Sequence, residues 1–600
     1  MHKFFPVALE PREGQLRALE LIKAAFDEGK KFFVLEGPTG FGKSALAKAV
    51  LNLCGTGFIT SPLNTLVSQY SHNQDLALTE VRGQATYSCR AFHGVDCERA
   101  SDLFKDHSSK CFDYIAARDA FWKARHSVTN VHFLAYAPPI EGAFYPRKVL
   151  VVDEAHNLEE IIIRMGRRSI TPQDVKGISA LSLDLPGEEK ELLNRNKVEE
   201  WLRYFDNAIT IALKELSDGD ERREYESLRD AINFTLTSGD WITWKEKASL
   251  LIAPMSAKRA AKSLFRCASR VLLMSATMGD IPLLLQNLGI GAHEVAVHRA
   301  ECTFPRENRK IIYRNLGSMS KKYNRPGLAT MLQECSLILR NRPDERGIIH
   351  CHSWDLQNTV DQHLKKEFGR RILTHRGSRD RDRAIQELRN SANGVLCSVA
   401  MTEGLDLRDD DARFCIFAKI PWGNLSDPYI AERRKRSQDW YENMTALSVI
   451  QGSGRVVRSA TDHADTFIFD GSFERLLPRL PDWWKEAIVY RRDIYWVCAA
   501  IGHGLPDLTN SLMRVSRPHI IHHIHHIHHR SMRELDLRVR FQLFQPSPFQ
   551  PRDQAGLIPS VSVVPSDLMM ERGSELRAGW FASMTQLVST FNRWAQFLGC

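Results

Sequence analysis

The chain has 600 residues, 43% of them hydrophobic and 26% charged, and its 81 lysines and arginines against 72 aspartates and glutamates leave a formal net charge of +9. This balance predicts a soluble protein with core enough for several domains, and its mild positive charge permits a nucleic-acid partner without demanding one. A membrane protein and a disulfide scaffold are excluded: no apolar run approaches the length of a span, and the 12 cysteines are scattered mostly singly through apolar stretches, as at Cys335, Cys397 and Cys415.

The N-terminal MHKFFPVALEPREGQ lacks the apolar core of a secretion signal, so a cytoplasmic location is expected. The first informative element is KFFVLEGPTGFGKS, from Lys31 to Ser44. An apolar strand runs into Gly37, Pro38, Thr39, Gly40, Phe41, Gly42, Lys43 and Ser44, and the helix-forming ALAKAVLNL follows. Glycines at these points let successive backbone N–H groups turn toward a polyphosphate, and the partial positive charge of the helix N-terminus adds to the attraction. Lys43 is placed to reach the β- and γ-phosphates of ATP, and Ser44 to put its hydroxyl on Mg2+.

About 110 residues then separate Lys43 from Asp153, more than neighbouring elements of one α/β domain need, so an insertion is expected there. KVLVVDEAHNL, Lys148 to Leu158, carries an apolar strand into Asp153 and Glu154. Paired acids at a buried strand end, downstream of a phosphate loop, suit Mg2+ binding by Asp153 and orientation of an attacking water by Glu154. His156 is expected to couple this site to a neighbouring domain. About 120 residues separate Glu154 from Ser275, which marks a second insertion. Its EEKELLNRNKVEEWLRYFDNAITIALKEL has helical periodicity, and DGDERREYESLRDAINF reads as a returning helix after a turn at Asp218 to Asp220. Farther on, Arg455 and Arg458 follow Gln451 in QGSGRVVR; three apart on a predicted helix, they share a face and can reach across a cleft to a γ-phosphate. Leu480 to Ala500 reads as an amphipathic helix. Beyond Gly504 the character changes: Arg517 to Arg530 repeats histidine pairs between isoleucines, a low-complexity stretch with adventitious metal affinity, and Gly579 to Leu598 has the pattern of one amphipathic helix.

From about Pro11 to about Asp470 these elements, in order, resemble the superfamily 2 helicases of the XPD/DinG type. Arg12 and Gln15 in PREGQ match the family's RxxQ element, where the glutamine recognises adenine; ITSPLNTLVSQY from Ile59 and VTNVHFL from Val128 are similar to its next two segments. VLLMSATM from Val271 carries its SAT motif, and GIIHCHSW, the segment from Ser398 and QGSGRVVRSATDHADTFIFD are similar to motifs IV, V and VI. The resemblance implies a DEAH-box DNA helicase that hydrolyses ATP with Mg2+, moves 5′ to 3′ on single-stranded DNA and unwinds forked DNA in replication, repair or recombination. It also implies largely sequence-independent strand contacts through Thr60, Ser61 and Pro62, and places Glu403, Gly404 and Asp406 in the nucleotide cleft.

In this family the first insertion holds a [4Fe–4S] cluster on four cysteines and the second a helical Arch domain. The segment Tyr87 to Tyr114 offers Cys89, Cys97 and Cys111. Completion of the set by His107 or His93, an open iron site, loss of the cluster, zinc on three cysteines and one histidine, and three thiols packed in a small helical domain are the readings of that pattern; His107, four residues before Cys111, is the better substitute.

The expected architecture is therefore α/β, with two RecA-like domains built on parallel sheets. The first occupies 1–80, 128–160 and 249–295, interrupted by an iron–sulfur-like insertion at 81–127 and an Arch-like helical insertion at 161–248; the second spans 296–503, and 504–600 is a histidine-rich tail. An RNA-dependent ATPase, or a nucleotide-gated nucleic-acid-binding ATPase that does not unwind, would use the same elements.

Overall fold

A computed structural model describes residues 1–62, 64–103, 112–178, 194–216, 220–302, 304–321, 325–377, 380–399, 407, 409–454 and 462–491. His107, Cys111, Glu403, Gly404, Asp406, Arg455, Arg458 and the 504–600 tail lie outside them.

Apolar runs become the strands of two parallel sheets, as the α/β reading expects. The first sheet collects β1 (Phe32–Glu36), β2 (Gly57–Ser61), β3 (Thr79–Glu80), β4 (His126–Asn130), β5 (Arg147–Val152), β9 (Ala268–Ser275) and β10 (Val295–Arg299) in the order β10-β1-β9-β5-β2-β4-β3. Side chains alternate between two buried faces. Phe32, Val34, Phe58, Leu150, Val152, Val271 and Leu273 enter one core, while Phe33, Leu35, Ile59, Val149, Val151, Leu272 and Met274 enter the other. Burial on both faces is why these strands read as continuous apolar runs rather than alternating ones.

The second sheet is built the same way from β11 (Ile311–Tyr313), β12 (Gly347–His350), β13 (Ile372–Thr374), β14 (Val395–Ser398), β15 (Phe414–Phe417), β16 (Asp465–Ile468) and β17 (Ile488–Tyr490), in the order β13-β14-β12-β15-β16-β11-β17. Two expectations shift here. The strand Val295–Arg299 pairs with β1, so the first sheet continues past the boundary expected at 295. The stretch from Leu480 is not one long helix. It forms a short helix, Asp482–Lys485, and then β17, whose Ile488, Val489 and Tyr490 pair with β11; β-branched and aromatic residues favour an extended edge position there over a helix.

In the second insertion, helices Arg195–Glu215 and Asp220–Ser238 pack together around Leu202, Phe205, Ile209, Leu228 and Ile232. At their base lies an antiparallel sheet absent from the helical reading, with β6 (Arg168–Ile170), β7 (Trp241–Glu246) and β8 (Ser249–Pro254) in the order β6-β8-β7. The helix Leu158–Gly166, directly after the acid pair, buries Ile162 and Ile163 in the core of the first sheet and so ties the insertion to it.

The first insertion is anchored by Arg147, 1% exposed, whose guanidinium donates to the carbonyls of Gly57 and Phe121, each at 2.7 Å, and to Ser127 Oγ at 3.0 Å. It also stacks over Phe58 at 3.8 Å. Burial pulls its pKa down to about 9, the cost of holding a cation where only neutral acceptors face it.

Candidate nucleotide site

The loop that leaves β1 is held from both sides. Gly37 N–H donates to Ser275 O at 2.9 Å, and the next helix begins at Lys43 with Gly42 as its cap. Gly42 adopts φ +85°, and a Cβ there would stand 2.2 Å from Gln15 Nε2, so glycine is required both by the backbone and by the close approach of Gln15. Gln15 donates to Gly42 O at 3.0 Å and accepts from Arg12 N–H at 2.8 Å, while the Arg12 guanidinium donates to Gly40 O. Arg12 and Gln15 thus brace the same loop that the spacing of Gly37 to Ser44 singled out. Lys43 Nζ folds back to Gly37 O at 3.0 Å, an uncharged acceptor that a phosphate oxygen would outcompete.

At the end of β5, Asp153 is 5% exposed and both its carboxylate oxygens are engaged: Glu154 N–H donates to Oδ1 at 2.9 Å and the Tyr70 hydroxyl to Oδ2 at 2.8 Å. Burial, then the negative charge of Glu154, pushes the Asp153 pKa up to about 6, against the pull of Lys43 and of the Tyr70 bond. Such a carboxylate lacks a strong positive partner and would gain most from a cation. Glu154 sits at φ +49°, a left-handed conformation uncommon for a residue with a Cβ, which turns its side chain away from the strand.

From Glu154 a chain of hydrogen bonds crosses to the second sheet domain. Ser275 Oγ donates to Glu154 Oε2 at 3.0 Å, and His156 Nδ1 lies 2.7 Å from Ser275 Oγ. Because the serine proton is committed to Glu154, His156 donates through Nδ1–H and its Nε2 is left to accept from Gln451 Nε2, on the helix Gln438–Ser453 of the second domain. The expected coupling by His156 therefore takes the form of a relay, Gln451 to His156 to Ser275 to Glu154.

A second set of contacts joins the domains away from this relay. The helix Pro428–Arg436 lays Tyr429, 1% exposed, into the core of the first domain. Arg433 pairs with Glu159 at 2.5 Å, with side chains only 8% and 13% exposed, and stacks on Trp440 at 4.3 Å. Arg167 meets Asp427 at 3.0 Å, and Arg436 donates twice to Asp240 at 2.8 Å. Tyr70 closes the segment from Ile59 and Asp427 falls in the segment from Ser398, but the sequence assigned neither a role, and it marked none of the other residues. Tyr70 reads as one more large residue on an amphipathic helix, and surface-type charges such as Glu159 and Arg433 carry no signal of their partner.

Thr60 and Ser61, expected to touch a nucleic-acid strand, are wholly buried, and their hydroxyls have no hydrogen-bond partner among the described residues. β2 is an interior strand covered on both faces, which turns these side chains inward; Pro62 is half-buried. In the first insertion Cys89 and Cys97 share a small buried cluster with Ala100, where Cys97 Sγ approaches Ser88 O at 3.7 Å. Among the described residues, no group of three or more histidines, cysteines, aspartates or glutamates is arranged to hold a metal ion. Among them, too, no helix is long and apolar enough to cross a membrane.

Residues 336–487 match the family described as helicase C-terminal domain. The regulator of telomere elongation helicase 1 homolog of Drosophila virilis is 26% identical over 104 residues, 15% of this chain and 10% of that protein. The ATP-dependent DNA helicase CHL1 of Candida albicans is 29% identical over 127 residues, 17% of this chain and 15% of that protein. The matched segments thus span only about a tenth to a seventh of these relatives' length. Two solved structures share the fold over 80% of this chain and 100% of their own: an XPD helicase, 15% identical with a TM-score of 0.54, and Xpd4 of S. tokodaii, 13% identical with a TM-score of 0.52.

Proposed function

We propose that the chain, whose residues 336–487 match the helicase C-terminal family and whose fold is shared with XPD helicases, is a superfamily 2 helicase of the XPD/DinG type that couples ATP hydrolysis to movement along single-stranded DNA and to unwinding of forked DNA, 5′ to 3′. The observation that carries this reading is the relay from Gln451 to Glu154. It ties the acid placed to orient water on one sheet domain to a residue of the other, so that a change of domain spacing is felt where ATP would be cleaved.

Each residue then has a task. The N–H groups that the loop presents between Pro38 and Ser44 and the Lys43 ammonium bind the phosphates, with Arg12 and Gln15 bracing the loop at the adenine side. Ser44 and Asp153 would hold Mg2+, which neutralises charge on the β- and γ-phosphates. The fit is chemical: a hydroxyl and a buried carboxylate short of positive partners are oxygen donors of the hard kind this ion takes. Glu154 orients the attacking water. Arg455, Arg458 and the segment Glu403, Gly404 and Asp406 would complete the cleft from the second domain. Tighter ATP binding to the closed arrangement than to the open one supplies the work of each step. A [4Fe–4S] cluster, if bound, would be held by Cys89, Cys97, Cys111 and His107 and would stiffen the first insertion. The site lies in the cytoplasm on this reading.

The test is ATP hydrolysis by the full chain with and without single-stranded DNA, beside Lys43→Ala and Gln451→Ala, followed by strand displacement on a fork. Expected are DNA-stimulated hydrolysis, its loss in Lys43→Ala, and in Gln451→Ala a KM for ATP near that of wild type with DNA stimulation largely gone. Hydrolysis indifferent to DNA, or stimulated more by RNA, would sink the proposal.

A further inference from the structure

Tyr70, the last residue of ITSPLNTLVSQY, stands beside Asp153, one of the two side chains assigned to the divalent cation. It lies on the helix Asn64–His72, its residue only 3% exposed in the core beneath the first sheet. Its hydroxyl donates to Asp153 Oδ2 at 2.8 Å.

A phenol has one proton to give. Here that proton is committed to Asp153. The Asp153 carboxylate has a donor on each oxygen, Tyr70 on Oδ2 and the Glu154 N–H on Oδ1 at 2.9 Å, so its plane is set before a cation arrives.

We propose that Tyr70 is a positioning residue for the Mg2+ site, whose hydroxyl presets the Asp153 carboxylate as a ligand. It touches neither nucleotide nor phosphate and acts through Asp153. The inference rests on the reading of Ser44 and Asp153 as the cation-binding pair of an ATPase. Partners of this kind, one step out from a metal, are worth about 10–100-fold in metal affinity.

The experiment uses the full-length chain and Tyr70→Phe, which removes the hydroxyl and keeps the ring. Mn2+, visible by electron paramagnetic resonance, is titrated into each protein with ADP present, and a fluorescent ADP analogue is titrated in EDTA. The expected result is a Mn2+ dissociation constant raised about 10-fold, with metal-free nucleotide affinity and the thermal unfolding transition unchanged. The Mg2+ concentration for half-maximal ATP hydrolysis rises by a like factor while kcat at saturating Mg2+ is retained.

Unchanged Mn2+ affinity would overturn the proposal, as would an equal loss of metal-free ADP binding, which marks a merely loosened core. Should Tyr70→Phe not fold, Tyr70→Met, with a more adaptable side chain, decides the question by the same criteria. A wild-type chain whose hydrolysis does not depend on Lys43 would sink the ATPase reading itself. Lys43-dependent hydrolysis with normal Mn2+ binding by Tyr70→Phe would sink only the role of Tyr70.

Discussion

Asp153→Asn should abolish ATP hydrolysis and yet make the ligand-free protein more stable above neutral pH. Asp153 is buried beside Glu154, and its pKa stands near 6 in the folded protein against about 3.9 for an unfolded aspartate. A carboxyl whose pKa rises on folding holds its proton more tightly in the native state. Its effect on stability is therefore nil below about pH 3.9, and an ionisation cost grows as pH rises toward 6 and is complete above it. Two pKa units correspond to about 3 kcal/mol at pH 8, and the same arithmetic leaves about half of that at pH 5. Asparagine keeps an oxygen to accept from Tyr70 or from Glu154 N–H and carries no charge, so it escapes the cost. For a cooperative unit the size of the first sheet domain, this is a rise of about 5–10 °C in the unfolding transition at pH 8, shrinking toward pH 5. The assay is calorimetry of both proteins in EDTA without nucleotide at the two pH values. A variant no more stable than wild type at pH 8, or a gap that does not change with pH, would refute the assignment of a strained, cation-seeking carboxylate at this position.

Two further outcomes are expected. At the second domain contact, Glu159→Gln or Arg433→Met alone strands a nearly buried charge and should cost about 3–4 kcal/mol in urea unfolding, whereas the double variant should recover most of it; additive losses would show that the pair does not hold the domains. Iron and acid-labile sulfide analysis of anaerobically purified protein should find a cluster that Cys89→Ser diminishes; iron-free wild-type protein would leave Cys89 and Cys97 as packed thiols.

Much of the fold was legible because strands buried on both faces announce themselves. KFFVLE and KVLVV are apolar without alternation, and both are interior strands of the first parallel sheet. The paired helices of the second insertion were legible from their period. The misreadings have local causes. Ile488 to Tyr490 sits where helix and strand patterns are alike over a few residues, and pairing with β11 decided for strand. The small sheet β6-β8-β7 brings Arg168–Ile170 to strands some 80 residues away, a match no local window contains.

At the site, the sequence by itself determined the phosphate loop and the acid pair, because their chemistry depends on neighbours within a few residues: glycines that free the backbone, a lysine and serine at the helix start, two acids at a strand end. Only the tertiary structure decided which distant groups meet them. Gln451 reaches His156 across 295 residues and Arg433 reaches Glu159 across 274. Tyr70 lies 83 residues from the Asp153 whose carboxylate it holds. A hydrogen bond is set by angstroms in space, and the packing that brings such partners together is a property of the whole sheet rather than of any stretch of chain.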